Sequence, residues 1–76
     1  MIQSWDEYNE LETLCDDAND RLISGEGQTG VHFSLMFILR KHGINAMGRE
    51  GSVKETRKLL DQFVAEQINV NARPGR

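Results

Sequence analysis

The chain contains one cysteine, Cys15, and one proline. A lone cysteine cannot close a disulfide within the chain, so no covalent staple is available, and it points to a reducing compartment. One proline and seven glycines in 76 residues exclude a collagen-like or low-complexity chain. Long apolar runs are also missing. The longest strongly apolar stretch, 33–39, falls far short of the ~20 residues that cross a bilayer. The opening MIQSWDEYNE has no basic stretch followed by an apolar one and does not read as a secretory signal. The cytoplasm is the expected compartment.

Chemistry-bearing patterns are equally scarce. His32 and His42 are well separated in the sequence and Cys15 lies elsewhere, whereas zinc wants four ligands with closely spaced pairs. No nucleophile has an evident base or oxyanion site beside it. So small a chain rarely encloses a pocket of about 300 Å³ or more. The expectation is a protein without metal or cofactor that is not an enzyme.

What is present fits one small domain: 8.7 kDa, mean hydropathy −0.54 and 38% hydrophobic residues. Residues 1–70 are expected to form it, with 71–76 as a flexible tail. A domain of this size buries roughly 60% of the surface that its unfolded chain exposes. Self-association is then the expected source of extra stability. Charge is divided along the chain. Residues 1–28 carry Asp6, Glu7, Glu10, Glu12, Asp16, Asp17, Asp20 and Glu26 against Arg21 alone, a net −7; the remainder is +4, and the whole is −3.

Hydrophobic spacing predicts an all-α fold, a three-helix bundle with helices over about 5–23, 30–42 and 52–69. In the first, Ser4 and Glu7 fit a capping box, and Tyr8, Leu11, Cys15, Ala18 and Leu22 recur at three and four residues to make one stripe. Gly25 is expected to close it. Thr29 is a suitable N-cap for the second helix, Arg40, Lys41 and His42 suit its C-terminal end, and Gly43 stops it. Residues 44–51 read as a loop, with Ile44 and Met47 tucked against the core. Ser52 and Glu55 fit a second capping box, followed by Val53, Thr56, Leu60, Phe63, Val64 and Gln67 at helical spacing.

The second helix carries two apolar faces. Val31, Leu35, Ile38 and Leu39 share one arc, with Met36 at its edge; Phe33 and Phe37 lie opposite, near Arg40. A helix apolar around most of its girth is usually buried on most sides. Either the other two helices sandwich it, or Phe33, Met36, Phe37 and Arg40 meet a second copy or a foreign protein. Burying one such aromatic side chain is worth about 1.5–3 kcal/mol, and aromatics beside arginine are typical interface anchors. A homodimer through this helix is expected.

On the first helix, Asp6, Glu10, Asp17 and Asp20 line the face opposite the apolar stripe. Like charges at i, i+4 cost about 0.2–0.5 kcal/mol per pair. Such a face keeps a protein soluble, or it steers a basic partner such as a nucleic-acid-binding protein. Residues 25–30 spell GxGxxG, but the motif follows a helix where a nucleotide site needs a strand, so it reads as a helix–helix turn. Arg49, Lys54, Arg57 and Lys58 form a basic cluster that could reach phosphates if the third helix were a recognition helix. The connection before it is longer than the about 3–4 residues of a helix–turn–helix, and the chain is acidic overall. The sequence therefore predicts a protein-binding regulator or inhibitor, with a DNA-binding regulator as the alternative and no membrane partner. In size and charge it is similar to the small adaptor and inhibitor proteins of phages and mobile elements, with no shared motif.

Overall fold

A computed structural model describes residues 2–72, with side chains for 2–68. The fold is all-α, with three helices packed together and no strand among the described residues: α1 (Trp5–Ile23), α2 (Gly30–Lys41) and α3 (Gly48–Ala72). No described helix is long and apolar enough to cross a membrane.

The local chemistry of the first two helices follows the expected signals except at the start of α2, where Thr29 holds the N-cap position but its enclosed hydroxyl bonds no backbone N–H among the described residues. Ser4 Oγ accepts from the Glu7 N–H at 3.2 Å. The returning Glu7 carboxylate takes the N–H of Gln3, at 2.7 Å, instead of that of Ser4. Both helices end the same way. Glu26 N–H donates to Arg21 O and Gly25 N–H to Leu22 O; Ile44 N–H donates to Leu39 O and Gly43 N–H to Arg40 O. These paired bonds are Schellman motifs, with glycine at the residue that must turn left-handed. Gly25 and Gly43 have φ values of 82° and 80°.

The third helix begins earlier than its sequence suggests. It starts at Gly48 and not near Ser52, so the Ser52–Glu55 capping box does not form. Ser52 is fully buried inside the helix, and its hydroxyl donates to Arg49 O at 2.8 Å. Thr56 repeats this on Ser52 O at 2.7 Å. Hydroxyls returned to their own helix backbone need no other partner, which lets two polar residues sit in the core. Residues 73–76, most of the expected tail, lie outside the described residues.

The connection 42–47 runs back along the length of α2. Trp5 meets Phe63 and Cys15 meets Val53, so α3 runs antiparallel to α1. Glu7 reaches His42 at 3.4 Å, so α2 is also antiparallel to α1. The second and third helices therefore point the same way. Twelve residues of α2 rise about 18 Å, and the six connecting residues, drawn out, reach about 20 Å. The chain descends as a strap whose side chains alternate: Ile44 half-buried, Asn45 exposed, Ala46 buried, Met47 exposed. Met47 is 81% exposed, contrary to the expectation that it tucks into the core. In an extended segment neighbouring side chains point to opposite sides, and Ala46 takes the inward place.

The core gathers Leu11, Cys15 and Ala18 from α1, Leu35 and Leu39 from α2, and Val53, Leu59, Leu60 and Phe63 from α3. His32 and Thr56 are fully buried with them.

Candidate interaction surface on the second helix

The inward arc of α2 is His32, Leu35 and Leu39, fully buried, with Val31 and Ile38 packed at its margins. Neither α1, α3 nor the strap covers the opposite side. Phe33 and Phe37, one turn apart, are 56% and 61% exposed. They wall a surface groove of about 310 Å³ whose other lining residues are Met36, Arg40, Asn45 and Ala46. The strap thus forms the far wall of the groove, and no carboxylate lines it. Lys41 Nζ stands 5.1 Å from the centre of the Phe37 ring, within cation–π range. Lys41 also borders a second groove of about 220 Å³ between α1 and α2, where Glu7 and Glu10 lie.

The acidic residues of α1 divide into two kinds. Asp6, Glu10 and Asp20 are exposed. Asp17 is half-buried and accepts from Arg21 Nε at 3.1 Å, and Arg21 also reaches Glu26 at 3.5 Å. One arginine thus offsets part of the charge at that end of the stripe.

The basic residues are not gathered into an open face. Arg57 lies 3.7 Å from Asp16 on α1, and Lys58 lies 3.4 Å from Glu55. Arg49 is half-buried, with Nη1 enclosed and without a hydrogen-bond partner among the described residues. Lys54 is exposed. Beside them, a trough of about 540 Å³ runs between Ile44 and α3, lined by Glu55, Lys58, Leu59, Asp61, Gln62 and Ala65. Among the described residues no group of three or more His, Cys, Asp or Glu is placed to hold a metal ion.

Two features escape the hydrophobic spacing, the place of Trp5 and the burial of His32. Trp5 stacks edge-on against Tyr8 and Phe63, with ring centres 5.1 and 4.8 Å away. Partial burial in this trio, with the Glu12 carboxylate close by, pushes the Tyr8 phenol above its usual pKa. His32 is fully buried, and neither ring nitrogen has a hydrogen-bond partner among the described residues. Positions 32, 35 and 39 repeat at three and four residues on the inner arc, but a histidine there does not by itself mark burial. Cys15, expected in the core, is fully buried. Burial pushes its thiol pKa up, partly opposed by Arg57. The enclosed Sγ lies 3.8 Å from Val53 O, a packing role.

Comparison of the chain with protein-family models, with curated proteins and with solved structures found no match.

Proposed function

We propose that the chain is a small protein-binding regulator or inhibitor. It docks on a partner protein through the outer face of α2 (Phe33, Met36, Phe37 and Arg40) and through the acidic face of α1 (Asp6, Glu10, Asp17 and Asp20). The observation that carries this reading is the exposed pair Phe33 and Phe37 beside an arginine-bearing groove. Exposed apolar patches of this kind mark interaction sites, and aromatic and arginine side chains are the usual anchors. The acidic face supplies orientation and a faster encounter with a basic partner. The reading places the protein in the cytoplasm, gives it no catalytic role, and includes the homodimer expected from the same apolar face.

The DNA-binding reading draws less support. Of Arg49, Lys54, Arg57 and Lys58, two lie against carboxylates of their own chain and one is half-buried. Phosphate binding needs cations that can displace counterions from the nucleic acid.

A photo-crosslinking residue in place of exposed Ser34, used in cells of the source, tests the docking reading. The expected result is a discrete partner whose capture falls at least tenfold when Phe37→Asp is added. Equal capture with and without Phe37→Asp would contradict the reading.

A further inference from the structure

We infer that the end of the bundle where α2 and α3 both begin binds a small oxyanion of the phosphate class, with Thr29, His32 and Arg49 as its donors. The site is separate from the outer face of α2 and does not rest on the docking reading. The buried side-chain nitrogen and oxygen atoms that lack a hydrogen-bond partner among the described residues are Thr29 Oγ1, His32 Nδ1 and Nε2, and Arg49 Nη1. An orphaned polar atom is costly in a folded chain, most of all on a charged group. These atoms belong to one end of the molecule. Trp5 meets Phe63, Cys15 meets Val53 and Glu7 meets His42. By that register His32 lies level with Asp17 of α1 and, through it, with Gly51 of α3. Arg49 stands two residues before Gly51, and Thr29 three before His32. Because α2 and α3 point the same way, both are displaced toward the same end, by about 3 Å and about 4.5 Å.

The chemistry of the three side chains selects the ligand. A guanidinium only donates, so the enclosed Nη1 calls for an acceptor, and a hydroxyl and an imidazole can donate to the same one. A water molecule accepts too, but it leaves the charge of the enclosed guanidinium unbalanced. An anion with several oxygens serves all three donors and balances that charge. The backbone favours the same ligand. Both α2 and α3 present their N-termini at this end, where helix dipoles attract a negative group. The first turn of α2 holds no acid, and the Thr29 side chain does not cap it. Gly27 and Gly30, on the turn into α2, have nothing within 4 Å of where a Cβ would stand, so the backbone there is open to a close approach. His32 is fully buried, while Thr29 and Arg49 are half-buried and connect it to the surface. Of the acids at this end, Asp17 and Glu26 are held by Arg21, and Asp20 and Glu50 are exposed.

The test is isothermal titration calorimetry of the full chain with inorganic phosphate, against chloride at the same ionic strength, with the His32 ring signals followed by NMR. The wild type is expected to bind phosphate saturably with a sub-millimolar dissociation constant and to shift the His32 signals in step. Arg49→Gln and His32→Leu, each checked for native helix content by circular dichroism, are each expected to weaken binding at least tenfold. Phenyl phosphate separates the two sources of the group. Tighter binding than inorganic phosphate assigns the site to a phosphomonoester, and weaker binding assigns it to the free ion. Absence of saturable binding by either probe up to tens of millimolar overturns the inference. Binding that Arg49→Gln and His32→Leu leave unchanged, or that does not move the His32 signals, overturns it as well.

Discussion

His32 is the residue whose placement is hardest to reconcile with a core. Its ring is fully buried, and neither nitrogen finds a hydrogen-bond partner among the described residues. An unsatisfied buried polar group costs about 1–3 kcal/mol, while an apolar group of similar shape does not. His32→Leu is therefore expected to raise the unfolding free energy by about 1 kcal/mol in urea denaturation. A loss of stability instead would mean that the imidazole has a partner in solution. Cys15 and Thr56 pose no such problem. The thiol is a small apolar group, and Thr56 bonds Ser52 O within its own helix. At this scale the spacing of Leu11, Cys15, Leu35, Leu39, Leu60 and Phe63 was enough to assign the core. His32 and Ser52 were not, because a polar letter on an apolar arc carries no mark of burial. Whether a hydroxyl returns to its own backbone depends on the helix already being there.

The helix ends divide by how local their causes are. Ser4, Gly25 and Gly43 act through backbone bonds within five residues, so the bounds of α1 and the end of α2 were legible. The start of α3 was not. Its first residues, Gly-Arg-Glu-Gly-Ser, include two glycines, which are poor helix formers, and packing against α1 and the strap overrides that weakness. Gly48 enters the helix with φ 72°, a conformation that residues with a side chain adopt only at a cost. Gly48→Ala is expected to destabilise the fold by about 1–2 kcal/mol, although a Cβ there would meet nothing within 4 Å. A neutral effect in thermal unfolding would show that the strap can enter α3 with another geometry. The strap was hidden for a related reason. Four residues alternating inward and outward are too short a signal to separate from a loop.

Across the whole molecule, the described residues enclose a core and leave an apolar surface of α2 open. α3 is the longest element, and because the first residue of α1 already meets Phe63, α3 continues past it to Ala72. The result is a rod of 50 × 23 × 18 Å. The opposed faces of α2 were legible from helical spacing alone. Which face would be left open depends on tertiary placement, which places the strap beside Phe33 and Phe37 without covering them. The division of charge along the sequence was legible too, yet Asp16–Arg57 shows the two halves meeting inside one bundle. Thermal unfolding against protein concentration tests most directly whether a second copy covers the open face, because a partner that binds only folded chain raises the melting temperature by mass action. The wild type should gain about 3–6 °C for each tenfold rise in concentration once dimers dominate, and Phe37→Asp should show no dependence. A melting temperature for the wild type that is the same at every concentration would contradict the account.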